Sequence, residues 1–322
     1  MKRRHLFHFA AFALAGAARS QTSARVARVG VLSGWSAGAE MTAFFAPLLR
    51  RLAELGHVSG RTLEIEYRFA DGKLDRLPAL AAELVARNLS VLIGVGPAAP
   101  FAAAATKTVP VVAIAVNDPV RMGLAQTMAR PGGNVTGVSS WGNELVAKRL
   151  QLLKEMVPAA QRFGILSNPK AGRFEAADLT GFERALGLPV VSVTAGDPDE
   201  FDAAFSALAR ERVGGLVVTA DPMLYLHRAR IGQFCTEQRL PSVWGAGGYL
   251  DAGGLASYQA DFDEVMRRGA EQVDKILRGG KPGEIPFEQA TRLVLVVNLK
   301  AARALGITVP ASLLAAANEI IP

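Results

Sequence analysis

Apolar and polar residues follow two repeating patterns along this chain. Short apolar runs, of which 27–32 and 111–116 are the clearest, are typical of buried β-strands. Longer segments between them place apolar residues at helical spacing, and 40–55 has a stripe made of Phe44, Phe45, Leu48, Leu49, Leu52 and Leu55. Glycine or proline separates most segments, so the pattern predicts strands and helices in alternation.

The alternation predicts an α/β protein with doubly wound parallel sheets, covered by helices on both faces. The last long helix is predicted to begin at an Asp261 N-cap, with Glu264 completing a capping box. The predicted strands are 27–32, 63–69, 91–95, 111–116, 135–138, 162–166, 190–193, 215–218, 242–244, 255–257 and 292–298. The predicted helices are 40–55, 74–87, a short one from 98, 143–157, 174–186, 199–212, 223–238, 262–277 and two short ones at the end.

The two halves of the chain resemble each other weakly. The segment VGVLSG at 29–34 resembles FGILSN at 163–168, and each is a strand followed by a small polar turn. A length of 322 residues is enough for two domains of ordinary size. The pattern therefore indicates two lobes, although chance remains an alternative for so short a match.

Composition excludes several functional classes. Half of the residues are apolar and a fifth are charged, as in globular proteins. Four of the basic residues lie in the first twenty, which leaves 32 basic residues against 29 acidic ones, a net charge of +3. No basic cluster of the kind that binds nucleic acid follows. One cysteine and four histidines predict no internal disulfide, no metal site and no cofactor bound through such residues.

The first twenty residues have the pattern of a cleavable export signal. A basic cluster at Lys2-Arg3-Arg4 precedes an apolar run of about thirteen residues, which is shorter than the roughly twenty that a membrane span needs. Cleavage is predicted near Ser20–Gln21. The sequence RRHLF at 3–7 partly matches a twin-arginine signal, with Sec export as the alternative. The prediction is a periplasmic protein without a lipid anchor at that site.

Ligands of open α/β sheets bind beyond the carboxyl ends of the strands. All three tryptophans lie at such ends, which predicts an aromatic-lined cleft, and the alternative is that each packs against its own lobe. The turn before the short helix at 98 presents backbone amides to an anion, or is an ordinary turn. The candidate ligand-binding residues are Ser33, Trp35, Gly96, Pro97, Ala98, Asn117, Asp118, Ser139, Ser140, Trp141, Asn168, Asp221, Trp244 and Tyr258.

Two of these candidates are acidic and precede a proline. Asp118 and Asp221 are candidates for binding a ligand ammonium group, and the alternative is a structural Asp-Pro turn. No residue is assigned a catalytic role.

An enzyme is the main alternative function. Gly94, Gly96 and Ala99 fit the G-x-G-x-x-A dinucleotide fingerprint, and Asp118 lies where a ribose-binding acid belongs, so the chain has features of an NAD-dependent oxidoreductase. Against this, the fingerprint follows the third strand of its half rather than the first, and Pro97 removes one donor amide. A DNA-binding regulator would need a helix-turn-helix, which residues 1–20 do not provide.

Several segments resemble the substrate-binding proteins of ABC transporters whose better-known members bind tryptophan or tyrosine. The matching segments are LEIEYR at 63–68, DRLP at 75–78, DPV at 118–120, RPGGNVTGV at 130–138, KRL at 148–150, NP at 168–169, ADP at 220–222, GGLASY at 253–258 and VNLK at 297–300. The chain departs from the family pattern at Gly96-Pro97-Ala98 and after Tyr258.

The resemblance implies a type I periplasmic-binding-protein fold, in which two lobes are joined by a three-strand hinge. The implied division is a signal peptide at 1–20, a first lobe at 26–138 plus 259–286, and a second lobe at 139–258 plus 287–322. Hinge residues are expected near Ser139, Ala260 and Phe287.

The function that the resemblance implies is binding without chemical conversion. The protein would take up a small solute, of which an aromatic or other amino acid is one candidate, and deliver it to an ABC permease in the inner membrane. It would act as a monomer and without nucleic acid.

Overall fold

The computed structural model describes residues 26–322. The predicted export signal and its cleavage site lie outside the described residues. No described helix is both long and apolar enough to cross a membrane.

Strands and helices alternate along most of the described chain. The strands are β1 (Ala27–Ser33), β2 (Leu63–Phe69), β3 (Val91–Val95), β4 (Val111–Val116), β5 (Val135–Ser139), β6 (Phe163–Ser167), β7 (Val190–Thr194), β8 (Leu216–Val218), β9 (Ser242–Trp244), β10 (Ala256–Ala260), β11 (Glu288–Gln289), β12 (Leu293–Asn298) and β13 (Glu319–Ile321). The helices are α1 (Ala39–Glu54), α2 (Leu77–Val85), α3 (Ala99–Ala105), α4 (Asn143–Met156), α5 (Ala176–Leu186), α6 (Phe201–Arg210), α7 (Pro222–Leu226), α8 (Arg228–Glu237), α9 (Phe262–Leu277), α10 (Leu299–Leu305) and α11 (Ala311–Ala316).

The first lobe is built on a six-stranded parallel sheet in the order β11-β5-β4-β3-β1-β2. Helices α1 and α9 pack on one face and on each other, and α2 and α3 cover the other face. Strand β4 is apolar at every position because both of its faces are covered. The helix α9 comes from the C-terminal part of the chain, so this lobe is not a contiguous segment.

The second lobe is built on a seven-stranded sheet in the order β13-β12-β10-β9-β8-β6-β7. Its core has α4, α5, α10 and α11 on one face, and α6, α7 and α8 on the other. The sheet is mixed, because β12 runs antiparallel to β10, whereas an all-parallel sheet was predicted. The fold is nevertheless α/β with two doubly wound lobes, as predicted.

Three chain segments cross between the lobes, at 139–143, 260–262 and 290–293. They are hydrogen bonded to one another. The Ala290 amide donates to the Ser139 carbonyl at 2.9 Å, and the Asp261 amide donates to the Arg292 carbonyl at 2.9 Å. The third crossover begins after residue 289 rather than at 287, because Phe287 is buried in the first lobe and β11 pairs with β5. Likewise β10 stays in the second sheet as far as Ala260.

The predicted capping box at the start of α9 is half correct. The Asp261 carboxylate accepts from the amides of Asp263 and Glu264, as an N-cap does. The Glu264 carboxylate does not return to the Asp261 amide, which already donates to Arg292. It accepts instead from the amides of Thr291 and Arg292 and from the Thr291 hydroxyl. Glu264 therefore fixes the third crossover to α9.

Candidate functional site

A cavity of about 620 Å³ lies between the two lobes. This is the size of an ordinary small-molecule site. The loops that follow β4 and β5 supply part of its wall, and the loops that follow β6, β8 and β9 face them from the second lobe. Helix α4 and the crossovers complete the wall. The cavity therefore occupies the position that the parallel sheets predict, beyond the carboxyl ends of their strands.

Six of the fourteen candidate residues line this cavity. They are Asn117, Asp118, Ser140, Trp141, Asn168 and Asp221. The other eight do not, and they are Ser33, Trp35, Gly96, Pro97, Ala98, Ser139, Trp244 and Tyr258.

Two of the three tryptophans lie away from the cavity. Trp244 is fully buried in the second lobe, where its indole packs on Tyr249 and its Nε1 donates to Ser242 at 2.7 Å. Trp244 is the last residue of β9, a strand covered on both faces, so its ring belongs to the core. Trp35 contacts the second lobe instead, edge-on to Tyr225 with ring centres 5.0 Å apart.

The remaining candidates are used within their own lobes. Gly96, Pro97 and Ala98 form a 3-10 turn that leads into the short helix α3. The Ser33 hydroxyl accepts from the Trp35 amide, and the Ser139 hydroxyl donates to the Asn117 carbonyl. Turns at strand ends commonly satisfy their own polar groups, and these positions do so.

Arg149 lines the cavity and was not among the candidates. It lies on α4 and is 5% exposed, and its Nε donates to the Tyr258 carbonyl at 2.8 Å. Burial lowers the pKa of Arg149 to about 10, so the guanidinium stays charged at neutral pH. No acidic side chain of the described residues pairs with it. Its sequence signal is a charged residue within the apolar stripe of α4, between Val146 and Leu153.

Asp221 is the acidic counterpart in the same cavity. It is 1% exposed, and its carboxylate accepts from the amides of Met223 and Leu224 and from the Asn168 side chain. Burial raises the pKa of Asp221 above its usual value, although these hydrogen bonds oppose the shift. Within the described part of the chain, no lysine or arginine forms an ion pair with it. Among the described residues, Arg149 and Asp221 are the only arginine, lysine, aspartate or glutamate residues that are buried.

Ser167 is a second polar residue that was missed. It is the last residue of β6 and 3% exposed, and its hydroxyl has no hydrogen-bond partner among the described residues. A buried hydroxyl without a partner is costly, so an oxygen or nitrogen atom from a bound molecule would stabilise it.

Apolar side chains form the rest of the wall. They include Met122, Trp141, Leu145, Val146, Phe174 and Phe262. The backbone of Trp141 has a φ of 69°, which is rare for a bulky residue and is common at functional sites. Its indole Nε1 donates to the Ala290 carbonyl at 2.7 Å, so the ring is fixed between two of the crossovers.

The lobes are closed over the cavity. Arg121 of the first lobe binds both carboxylate oxygens of Asp178 at the start of α5, at 2.6 and 3.0 Å. Lys170 of the second lobe binds Asp75 of the first lobe at 2.7 Å. These ion pairs and the contact between Trp35 and Tyr225 exist only while the lobes are together.

The family model for ABC transporter substrate binding proteins matches residues 37–321. The chain belongs to this family. A tyrosine-binding protein of Clostridioides difficile is 24% identical over 260 residues, which cover 80% of this chain and 74% of that protein.

Two solved structures are similar to this substrate-binding protein. A conserved domain protein of Vibrio cholerae is 29% identical with a TM-score of 0.83, and the match covers 92% of this chain and all of that one. The ABC domain of Streptococcus pneumonia in complex with L-Trp is 25% identical with a TM-score of 0.83, covering 92% and 99% of the two chains. These matches confirm the predicted family and its type I periplasmic-binding-protein fold.

Members of the family bind a small solute for delivery to an ABC permease, and they work outside the cytoplasmic membrane. They are binding proteins and not enzymes, so the oxidoreductase alternative is wrong. The geometry agrees, because Gly96 and Ala99 lie away from the cavity that Asp118 lines. In addition, Asp118 accepts from the amides of Val120 and Arg121 within its own turn.

Replacing Arg121 by alanine is expected to favour the open form of this substrate-binding protein. The side chains of the pair are partly exposed, so its loss should change the ratio of closed to open molecules by a factor of about five. Solution scattering without solute measures this change as a larger radius of gyration. Arg130→Ala is the control, because Arg130 is exposed and forms no ion pair within 26–322. An equal radius for both variants would contradict a role of Arg121 in closure.

Proposed function

We propose that this protein binds an amino acid with an apolar or aromatic side chain and delivers it to an ABC permease in the inner membrane. The main support is that Arg149 and Asp221, which are buried and of opposite charge, line one cavity and have no ionic partner among residues 26–322. A buried charge without a partner is unfavourable. The carboxylate and the ammonium group of an amino acid supply both missing partners.

The cavity wall supports the same class of solute. Ser167 adds a free hydroxyl beside the charged groups, and Trp141, Phe174 and Phe262 offer aromatic surface to a side chain. The relatives agree with this assignment: one is named a tyrosine-binding protein, and another was solved with L-Trp.

The solute also decides whether the lobes stay closed. The interlobe ion pairs are partly exposed and each is worth about 1 kcal/mol or less. A solute that contacts Asn117 or Ser140 on one side and Asp221 on the other gains contacts only in the closed form. By that difference in affinity it shifts the population towards closure.

We also infer where the protein acts and in which oligomeric state. The protein is exported by its N-terminal signal, through the twin-arginine or the Sec route, and acts in the periplasm as a monomer. It needs no cofactor and binds no nucleic acid. Residues 139–142, 260–261 and 290–292 form the hinge.

A thermal-shift screen against the twenty common L-amino acids tests the proposal. We expect the largest stabilisation with aromatic amino acids and much less with lysine or glutamate, because burying a side-chain charge against Trp141, Phe174 and Phe262 costs free energy. Tryptamine and indole-3-propionate each lack one of the charged groups, so each should bind far more weakly than tryptophan. Stabilisation by no amino acid at all would rule the proposal out.

Replacing Arg149 by methionine should lower the affinity for the amino acid at least a hundredfold, since a charge-assisted pair is lost. The variant should fold as stably as the original protein or more so, because a buried unpaired charge is removed. Titration calorimetry and thermal unfolding measure the two effects. Lys148→Met, on the same helix, is the control and should change neither. An unchanged affinity in Arg149→Met would remove the carboxylate contact from the proposal.

Affinity should depend on pH through Asp221. Burial raises the pKa of this carboxyl in the empty protein, and a bound ammonium group favours its ionised form. Affinity is therefore full above that raised pKa and is lost as the pH falls through it. Dissociation constants measured between pH 7.5 and pH 4 should show this loss. Asp221→Asn keeps an N-cap side chain but cannot ionise, so it should bind weakly with a flat pH profile; a profile equal to that of the original protein would contradict the assignment.

A further inference from the structure

The cavity wall at Asp221 is continuous with a contact between the lobes. The Asp221 carboxylate caps α7, accepting from the amides of Met223 and Leu224 at 2.9 and 3.1 Å. Helix α7 then meets the first lobe. Gly34 and Gly72 of the first lobe lie close against α7. A Cβ atom added at Gly34 would lie 3.0 Å from the Pro222 ring, and one added at Gly72 would overlap Leu226. Helix α7 therefore lies between the Asp221 side of the cavity and the first lobe.

Tyr249 binds both backbone groups of Asp221, the amide and the carbonyl. Its hydroxyl accepts from the Asp221 amide at 3.0 Å and donates to the Asp221 carbonyl at 2.9 Å. Tyr249 is fully buried. Since one hydroxyl binds both backbone groups, the start of α7 and the direction of the Asp221 carboxylate are fixed together.

The Tyr249 ring continues the connection to the first lobe. It lies edge-on to Tyr225 of α7, with ring centres 5.0 Å apart and an angle of 89° between the planes. Tyr225 in turn lies edge-on to Trp35 of the first lobe at 5.0 Å and 71°. Such edge-to-face contacts are favourable and depend on orientation. A rotation of Tyr249 or α7 is therefore transmitted to the contact between Tyr225 and Trp35.

We propose that Tyr249 is a positioning residue that couples occupancy of the cavity at Asp221 to the lobe contact between Tyr225 and Trp35. The inference rests on the proposed function in one respect, namely that the solute contacts Asp221. A solute that binds the Asp221 carboxylate stabilises the form of α7 in which this carboxylate is the N-cap. That form presents Tyr225 to Trp35, so the solute and the first lobe favour the same arrangement.

Tyr249→Phe tests the coupling, because it keeps the ring and removes the hydroxyl. We expect the affinities for L-tryptophan and L-tyrosine, measured by titration calorimetry of the purified protein, to fall about tenfold. Trp35→Ala, on the other side of the contact, should lower them by a similar factor. The double variant should lose much less than a hundredfold, because both changes break the same connection. Tyr67→Phe is the control, since its hydroxyl lies in the first lobe and has no hydrogen bond among the described residues.

Hydrogen exchange without solute provides a second measurement. In Tyr249→Phe the amides of Met223 and Leu224 should exchange faster than in the original protein, and in Tyr67→Phe they should not. Additive losses of affinity, or unchanged affinity with a lower unfolding temperature, would show that Tyr249 is only structural and overturn the inference. If neither amino acid binds the original protein, the choice of an aromatic solute fails, and unchanged exchange in Tyr249→Phe would then overturn the coupling independently.

Discussion

Two buried charges of opposite sign dominate the chemistry of this protein. Arg149 and Asp221 are buried without an ionic partner in the described part of the chain, and burial shifts the pKa of each towards the value that favours its neutral form. Folding tolerates this cost because hydrogen bonds offset part of it. Arg149 donates to the Tyr258 carbonyl, and Asp221 accepts from Asn168 and from two backbone amides. The rest is available to any molecule that carries the matching charges, which is why the proposed solute is a zwitterion and not a neutral compound of equal size.

The protein's own contacts favour closure of the lobes only weakly. Loops of both lobes enclose the cavity, but the interlobe ion pairs are partly exposed and weakly favourable. The protein surface alone therefore stabilises closure only slightly, and under the proposed function the solute contributes the decisive part. Such a balance suits a carrier, because a transporter that separates the lobes also weakens the hold on the solute.

Local patterns predicted much of the fold. The strands and helices follow from apolar periodicity, and the Asp261 cap and the start of α9 follow from sequence alone. The break between α7 and α8 at His227 and the last strand β13 carry no such pattern, because they depend on packing against distant residues. The Glu264 carboxylate was assigned to the wrong amides for the same reason: its partners lie 27 and 28 residues further along the chain.

The cavity was predictable only in part. Asn117, Asp118 and Asn168 were found because parallel strands end at a common edge. Which strand ends face the other lobe depends on how the lobes pack, and Gly96 lies outside the cavity for this reason. Trp244 lies outside it because its ring is part of the core of the second lobe. Arg149 is a charge within the apolar stripe of α4, and apolar periodicity alone does not single out such a residue.

The first lobe takes its edge strand β11 and its packed helix α9 from the far end of the chain. Residues 26–139 alone would leave one face of β4 and the edge of β5 uncovered, and exposed apolar strands of this kind promote aggregation. Native contacts that span more than a hundred residues also slow folding. The first lobe can thus be completed only after nearly the whole polypeptide has been synthesised, so a partly made chain depends on chaperones or on remaining unfolded until synthesis ends.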